Sequence, residues 1–325
     1  MRWPTIMTLM VMSCTEHAPI ERQNNATFHH ISPSHVPVRV EVLDQRGHAV
    51  SLAQPVARIV SLSPALTEAL FAVGCGDRLV LRDNWSDYPP QALAIPAVQG
   101  FVPSTEAVLS ARPDLVLSHF PPPALAAALD AAHVPWLAFA PKHLADVTHT
   151  LRAVGLACGR AQAGEQLAQA FDKRIKTIET RLQGRALPLV FYEMDAGIGG
   201  QPYTIGRATF GHEVLTRAGG VNLFGAEDRE WFQVSPEAVL QGDPDVVLLG
   251  DADVPEQPQS LDALRHRPTM ALLRAVRGGQ VFALHAELVS RPGPRLALGV
   301  EEAARLLHPL ALWDMPVLQP LGDAQ

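Results

Sequence analysis

In the part of the chain that shows a hydrophobic pattern, hydrophobic and polar residues first alternate. Short apolar runs follow, separated by segments with helical periodicity. Residues 38–52, "VRVEVLDQRGHAVSL", alternate around Arg46-Gly47 and predict a β-hairpin. The run "RIVSLS" then predicts a strand, and "PALTEALFAVG" after it predicts a helix. The same succession recurs along the rest of the body. Strands that alternate with helices in this way predict parallel sheets covered on both faces.

One helical pattern is longer than the others. Residues 161–183, "AQAGEQLAQAFDKRIKTIETRLQ", keep a helical period with no Gly or Pro after Gly164. Globular helices average about 11–12 residues, so this one is expected to join two bodies. We therefore predict an α/β fold of two Rossmann-like lobes with parallel sheets. The predicted N-terminal lobe covers residues 38–160, the connecting helix 161–186 and the C-terminal lobe 187–312.

Two stretches of the chain read almost alike. They are residues 105–117, "TEAVLSARPDLVL", and residues 236–248, "PEAVLQGDPDVVL". A serine precedes each stretch and is expected to be the N-cap of a helix whose second residue is Glu106 or Glu237. One interpretation is that each glutamate complements the helix dipole, which stabilises a helix by about 0.3–1 kcal/mol. The other is that two lobes present one carboxylate each to a partner with two-fold symmetry.

The two ends of the chain fall outside this pattern. Residues 1–14 combine Arg2, a short apolar run and a lipobox-like ending at Cys14, which predicts a lipoprotein signal peptide whose cysteine is acylated. The apolar run is too short to span a bilayer, and the alternative is that the cysteine is incidental. Residues 15–37 are polar and unpatterned, so they are expected to be a flexible tether, and residues 313–325 form a tail.

Composition and charge are those of a globular protein that does not bind nucleic acid. Of the 325 residues, 47% are hydrophobic and 18% are charged, which suffices for two hydrophobic cores. The 26 basic and 33 acidic residues give a net charge of −7 with both signs interspersed, whereas a nucleic-acid binder shows a basic face. Beyond Cys14, Cys75 and Cys158 lack zinc-type spacing and are expected to form a disulfide or to be two buried thiols.

No catalytic, nucleotide-binding or metal-binding motif stands out in the sequence. Phosphate-binding glycine loops, a GxSxG turn and an HExxH pair are absent, so we predict no catalytic residue, no cofactor and no metal site. Aromatic residues do occur in loops at strand ends, namely Trp85, Phe101 and Trp231. A single loop tryptophan more often serves local packing. Three such rings, at the edges where ligands bind in α/β folds, indicate a cleft for a large planar or macrocyclic ligand.

Several segments together resemble the cobalamin-binding proteins of bacterial ABC importers, within a wider class that also binds ferric siderophores and haem. The wider class is marked by "SPALTEALFAVG", and the cobalamin branch by "WSDYPP" and "WFQVSPE". The resemblance covers roughly residues 38–309. Within this range it also includes "EAVLSARPDLVL", "AGGVNLFG" and "RPGPRL". It implies two α/β lobes joined by one long rigid backbone helix, with the ligand in the cleft between the lobes.

The resemblance also implies ligand-binding residues. Trp85 and Trp231 match aromatic residues that pack around the corrin, and Phe101 matches a third after deletion of one residue. His119 departs from the family, which has a tryptophan there. It is expected to approach the metal of the ligand, to hydrogen-bond an amide of the ligand, or to be an ordinary loop histidine.

Charged residues are implied in two further places. Near the last helix, Arg291 matches a cleft arginine of the family and Glu287 matches an acidic neighbour. The family docks one surface glutamate of each lobe on arginines of two permease subunits, and these glutamates correspond to Glu106 and Glu237. The implied partners are an ABC permease dimer with its ATPase subunits, a corrinoid ligand and, through Cys14, the membrane. The protein is expected to be a monomer, either periplasmic or on the outer face of the cytoplasmic membrane.

The sequence thus predicts a receptor that captures a corrinoid such as cobalamin and delivers it to the permease without covalent chemistry. A haem receptor of the same fold would use His119, Tyr88 or Tyr203 as an axial ligand, and a siderophore receptor would use Arg207 and Arg291. The retained tryptophans favour the corrinoid. An α/β enzyme is the remaining alternative, and the missing phosphate loops argue against it.

Overall fold

The hairpin predicted at the start of the patterned region is present in the computed structural model, which describes residues 38–100, 102–252 and 259–312. Strands β1 (Arg39–Leu43) and β2 (Ala49–Ala53) pair antiparallel. The Asp44 carboxylate accepts hydrogen bonds from the backbone N–H groups of Arg46 and His48 and so closes the turn. Gly47 supplies the positive φ of 78° that the turn requires.

The N-terminal lobe is built on a parallel sheet with the strand order β5-β4-β3-β6-β7. Its strands are β3 (Ile59–Leu62), β4 (Leu79–Asp83), β5 (Ala97–Val98), β6 (Leu115–Ser118) and β7 (Trp136–Ala138). The helices of this lobe are α1 (Pro64–Ala72), α2 (Thr105–Ser110), α3 (Pro123–Ala131) and α4 (Leu144–Ala157). Every residue of β3 and β6 is buried, as expected of central strands covered on both faces.

A long helix, α5 (Ala161–Leu182), follows the N-terminal lobe. Its 22 residues span about 33 Å at 1.5 Å per residue. One face is apolar, and α5 packs against both α4 and α11 (Leu296–Leu307). Leu66 of α1, Phe171 of α5 and Val300 of α11 belong to one continuous hydrophobic cluster. The helix therefore shares a core with both lobes, as a connecting element must if it is to hold them together.

The C-terminal lobe repeats the α/β plan. Its strands are β8 (Leu189–Glu193), β9 (Tyr203–Ile205), β10 (Val221–Asn222), β11 (Trp231–Gln233), β12 (Val246–Leu249) and β13 (Val281–Ala283). Its remaining helices are α6 (Phe210–Arg217), α7 (Pro236–Gly242), α8 (Leu261–Arg265), α9 (Arg274–Arg277), α10 (Ala286–Ser290) and α12 (Pro309–Leu312). A parallel sheet has the order β10-β8-β12-β13, and β9 pairs antiparallel with β11 beside it. The predicted two-lobe α/β fold with parallel sheets is confirmed.

The repeated sequence has the same local structure in both lobes. Ser104 and Ser235 are the N-caps of α2 and α7, and each side chain accepts a backbone hydrogen bond of 3.2 Å, as predicted. Glu106 and Glu237 occupy the second position of their helices, and both are exposed.

Within the described residues, the structure shows the state of the two cysteines and whether any helix could cross a membrane. Cys75 and Cys158 are both buried free thiols. Among those residues, no helix combines the length and the apolar character needed to cross a membrane. The predicted signal peptide at 1–14 with Cys14, the tether at 15–37 and the tail at 313–325 lie outside the described residues.

The crossing of α4 and α5 depends on two glycines. A Cβ on Gly155 would lie 2.7 Å from the Cα of Gly164, and a Cβ on Gly164 would lie 2.7 Å from the carbonyl oxygen of Leu151. Both distances are shorter than van der Waals contact, so the two helix backbones touch here only because neither residue has a side chain.

Replacing Gly164 with valine is expected to push α5 away from α4. Overpacking of this kind lowers the free energy of unfolding by roughly 1–3 kcal/mol. Gln166→Val places the same side chain at an exposed position of the same helix and is expected to change stability by less than about 0.5 kcal/mol. Urea denaturation of the two variants and the parent measures the difference. Equal midpoints for the two variants would contradict the close helix crossing.

Candidate ligand-binding cleft between the lobes

A cleft of about 550 Å³ lies between the two lobes, at the carboxyl ends of strands of the N-terminal sheet. The N-terminal lobe contributes the segments that follow β3, β4 and β6, and the C-terminal lobe contributes the starts of α6 and β11 and the end of α10. Ligands of α/β proteins bind at this edge because loops and helix N-termini converge there. The lining residues are Leu62, Ser63, Pro64, Ala65, Asp83, Trp85, Gly100, Pro103, Ser118, His119, Phe120, Pro122, Pro141, Phe210, Trp231, Ser290, Arg291 and Pro292.

Trp85 is an exposed ring on the N-terminal wall, with 41% of its surface accessible. Its backbone N–H donates a 2.8 Å hydrogen bond to Asp83, which fixes the loop after β4. A Cβ on Gly100 would lie 2.7 Å from the ring, so glycine is required there to let the indole approach the backbone this closely.

Trp231 is the corresponding ring on the C-terminal wall, with 47% of its surface accessible. It begins β11 and packs edge-on against Phe210, with ring centroids 6.5 Å apart. Together, Phe210, Trp231 and Ser290 also border an adjoining chamber of about 240 Å³ between Tyr192, Met194, Ile205, Gly211 and Val289. The C-terminal wall is therefore aromatic and apolar, with room behind it.

His119 and Phe120 follow β6 and project from the N-terminal lobe into the same cleft. Their rings meet edge to face with centroids 5.4 Å apart. The surrounding atoms desolvate the imidazole and lower the pKa of His119, while the negative charge of Glu230 opposes this shift. His119 is consequently a neutral imidazole near pH 7.

Among the described residues that line the cleft, Arg291 is the only arginine or lysine. Its guanidinium donates a 2.6 Å hydrogen bond to Asp87 and lies 3.3 Å from Glu287. Although desolvation works in the opposite direction, the hydrogen bond and charge of Arg291 lower the pKa of Asp87, so this carboxylate is ionised at neutral pH. The positive charge of Arg291 is thus already matched inside the protein.

A buried ion pair joins the lobes beside Arg291. Arg295 of the C-terminal lobe donates hydrogen bonds of 3.0 and 2.7 Å to the two carboxylate oxygens of Glu68 on α1. The side chain of Glu68 is 1% exposed, and its desolvation raises the pKa of Glu68 more than Arg295 lowers it. The guanidinium also lies 3.8 Å from the ring centroid of Tyr88, which comes from the same loop as Asp87.

Contacts on another part of the interface also join the lobes. His143 lies 2.7 Å from Glu213, whose second oxygen accepts a 3.0 Å hydrogen bond from the backbone of Leu144. Lys142 forms an ion pair with Glu230. The start of α4 is therefore tied to α6 and to the loop before β11, so the two walls of the cleft are held together by charged groups in two places.

The predicted residues fall into three groups. Trp85, His119, Trp231 and Arg291 lie together on the cleft, and Glu287 does not line it but contacts Arg291. Glu106 and Glu237 lie away from the cleft lining, on short helices of different lobes. Phe101 and Cys14 lie outside the described residues. Among the described residues, no group of three or more His, Cys, Asp or Glu side chains could hold a metal ion.

The sequence interpretation missed Phe120 in the cleft lining and several charged residues beside the cleft. Phe120 had a signal, because it follows His119 at the end of a predicted strand, and Asp87 had one in the motif "WSDYPP". The pair of Glu68 and Arg295 had none, because its members are 227 positions apart and nothing local indicates that they meet.

A second set of buried charges lies at the carboxyl edge of the C-terminal sheet and outside the cleft lining. Glu193 at the end of β8 pairs with Arg267 through both carboxylate oxygens. Desolvation, with the nearby charge of Glu193, raises the pKa of Asp251 to about 7. These residues lie where the loops follow the strands of the C-terminal sheet, and they do not line the cleft.

Replacing Arg295 with methionine is expected to leave the Glu68 carboxylate buried without its partner. Loss of one member of a buried pair costs roughly 3–5 kcal/mol of unfolding free energy. The loss should be smaller at pH 5 than at pH 8, because an isolated buried carboxyl binds a proton more readily at the lower pH. Denaturant unfolding at both pH values measures it.

Arg152→Met is the matched control, because Arg152 of α4 pairs with Glu165 of α5 and the two side chains are 41% and 45% exposed. Its effect should stay within about 1 kcal/mol. If the two variants lost the same stability, the pair between Glu68 and Arg295 would not be the strong link between the lobes.

Comparison with known proteins agrees with this architecture. The vitamin B12-binding protein of Vibrio cholerae is 30% identical over 268 residues, which cover 78% of this chain and 90% of that protein. An uncharacterized ABC transporter substrate-binding lipoprotein of Bacillus subtilis is 28% identical over 282 residues, covering 83% of this chain and 86% of that protein.

Solved structures that are similar over most of the chain include a vitamin B12-binding and a haem-binding protein. The periplasmic vitamin B12-binding protein of Vibrio cholerae has a TM-score of 0.68 at 29% identity, covering 79% of this chain and 98% of that one. A periplasmic haem-binding protein from Roseiflexus has a TM-score of 0.69 at 28% identity, covering 79% and 99%. The periplasmic binding protein family model matches residues 59–288. The chain belongs to the periplasmic binding protein family.

Proposed function

We propose that this protein is the receptor of an ABC importer that captures a corrinoid in the cleft between its lobes and delivers it to the permease. The observation that carries the proposal is the combination of two opposed, exposed tryptophans with a cleft cation that the protein already neutralises. The proposed receptor catalyses no reaction of its ligand. The similarity to vitamin B12-binding relatives supports the same ligand class.

The apolar walls suit a large flat ligand. Trp85 and Trp231 expose 41% and 47% of their surfaces without a ligand, and burial of such rings against a macrocycle removes apolar area from water on both partners. Phe120 adds a third exposed aromatic surface to the same cleft. Stacking and apolar contact therefore supply affinity over a wide area.

The electrostatics of the cleft separate the candidate ligands. Haem carries two propionates, and many ferric siderophores are anionic, so both need cationic groups that are not already matched. Here Arg291 faces Asp87 and Glu287, and Arg207, the other arginine considered for a siderophore, pairs with Asp228. A corrinoid has carboxamides around its ring, which are neutral and hydrogen-bond to mixed donors and acceptors. The charge balance thus favours a corrinoid.

A haem receptor is the second candidate, and His119 is the observation in its favour. A neutral imidazole in the cleft can coordinate the iron of haem, and it can equally form a hydrogen bond with an amide of a corrinoid. The similarity to the haem-binding protein from Roseiflexus points the same way. The preference between the two ligands therefore depends on the charge argument.

The proposed partner is a permease dimer with its ATPase subunits, bound by a monomeric receptor through Glu106 and Glu237. Each carboxylate is exposed at the start of a capped helix, and the two belong to equivalent segments of different lobes. A partner with two-fold symmetry offers equivalent cationic sites for such a pair. We further propose that Cys14 carries a lipid anchor, with the receptor in the periplasm or on the outer face of the cytoplasmic membrane.

The tryptophan variants test the ligand site. Trp85→Ala and Trp231→Ala are each expected to weaken binding of cyanocobalamin roughly tenfold or more, because each removes a stacking surface. Trp136→Ala is the control, since Trp136 lies on β7 away from the cleft lining and bonds Asp130. Titration calorimetry with cyanocobalamin measures the three affinities. Unchanged affinity for both cleft variants would show that these rings only pack the loops.

The glutamate variants test docking. The double variant Glu106→Gln and Glu237→Gln is expected to bind cyanocobalamin normally and to lose most of the stimulation of ATP hydrolysis and uptake by the permease. Glu41→Gln, an exposed glutamate on β1, is the control and should behave like the parent. Uptake into vesicles that contain the transporter measures the effect. Full uptake with the double variant would exclude these residues from docking.

A further inference from the structure

His119 is a polar ring in an otherwise aromatic part of the cleft. It follows β6 and shares the cleft lining with Trp85, Trp231 and Phe120. In the described part of the chain, neither ring nitrogen of His119 has a hydrogen-bond partner. Other histidines do have partners for a ring nitrogen in the same structure: His143, His212, His285 and His308. The nitrogens of His119 are therefore available to a ligand.

The surroundings of His119 keep it in the form that binds metals. Desolvation lowers the pKa of His119, and the opposing charge of Glu230 is itself engaged by Lys142. A neutral imidazole has a lone pair on one nitrogen and a proton on the other, and the lone pair is what a transition metal binds. The edge-to-face contact with Phe120, at 5.4 Å between centroids, supports the ring from one side.

The residues nearby suit a metal that is already held by another ligand. Across the described residues, no cluster of three or more His, Cys, Asp or Glu side chains could hold a bare ion. A planar macrocycle holds its metal with four ring nitrogens and leaves only the axial positions for other groups. One imidazole without a hydrogen-bond partner is then the only metal ligand that the protein has to supply. The exposed tryptophans would contact the macrocycle that surrounds the metal.

We infer that His119 is an axial ligand to the metal of a planar macrocycle bound in the cleft, and this inference rests on the proposed function. The shared chemistry is a metal centre with an exchangeable axial position, either a cobalt(III) corrinoid that carries water or a ferric haem. A ring nitrogen of His119 donates its lone pair to the metal and the bound water leaves. No electron is transferred, and no proton is released, because the imidazole is neutral before and after.

The inference distinguishes two corrinoids that share a ring and differ in one axial group. Aquacobalamin exchanges its water readily for imidazole, whereas cyanocobalamin keeps its cyanide. His119 should therefore bind the cobalt of the first and only touch the second. The site is predicted to prefer the aqua form, although the two ligands offer the same apolar surface to Trp85 and Trp231.

The test uses the full chain, freed of ligand, and follows both visible absorbance and affinity. Aquacobalamin should acquire the band shift that free imidazole produces, and it should bind at least about tenfold more tightly than cyanocobalamin. In His119→Ala and His119→Phe the band shift should disappear, and the affinities for aquacobalamin and cyanocobalamin should come within about threefold of each other. The phenylalanine variant keeps a flat ring without a metal-binding nitrogen. His48→Ala, at an exposed position of the hairpin turn, is the control.

Each other outcome has a definite meaning. Equal affinity for the two cobalamins without a band shift would overturn axial ligation and leave the proposed corrinoid receptor intact. A ferric haemin spectrum that changes only when His119 is present, without corrinoid binding, would support ligation and replace the proposed ligand by haem. Absence of binding by all three macrocycles would overturn both proposals.

Discussion

The buried ion pair between Glu68 and Arg295 is the contact on which the arrangement of the cleft depends. It places a charge from each lobe where water is excluded, and a pair of this kind tolerates little displacement because separating the partners leaves both charges desolvated. Around it, Arg291 reaches Asp87 in the tryptophan loop, and Arg295 covers Tyr88. The loop that carries Trp85 is thus positioned by the opposite lobe. Together with the shared core along α5, these contacts define the distance between the two aromatic walls.

The same charges explain the chemical character of the cleft. Arginine next to a ligand site usually indicates an anionic ligand, but Arg291 is matched by carboxylates that the lobes themselves supply. What remains for the ligand is apolar surface from Trp85, Trp231 and Phe120, with single polar groups among them. Such a surface would hold the large, flat and nearly neutral ligand that we propose through contact area rather than through charge. Within this surface His119 is the group that would respond to a metal.

Much of this structure could be predicted from local sequence signals. The N-caps Ser104 and Ser235 and the equivalent positions of Glu106 and Glu237 follow from short-range rules, because capping involves neighbouring residues. Trp85 and Trp231 were predicted as cleft residues because loops at strand ends converge at one edge of a parallel sheet. The interlobe pairs could not be predicted, because which distant charges meet depends on how the lobes pack. The roles given to Glu106, Glu237, Phe101 and Cys14 remain predictions.

The central claim is that a cleft with flat aromatic walls and an internally matched arginine selects a nearly neutral metal macrocycle. The most direct test is titration calorimetry of the ligand-free full chain with cyanocobalamin, ferric haemin and an anionic ferric siderophore under identical conditions. The account predicts that cyanocobalamin binds at least about tenfold more tightly than the other two. Tight binding of haemin or the siderophore, with no measurable heat from cyanocobalamin, would contradict it.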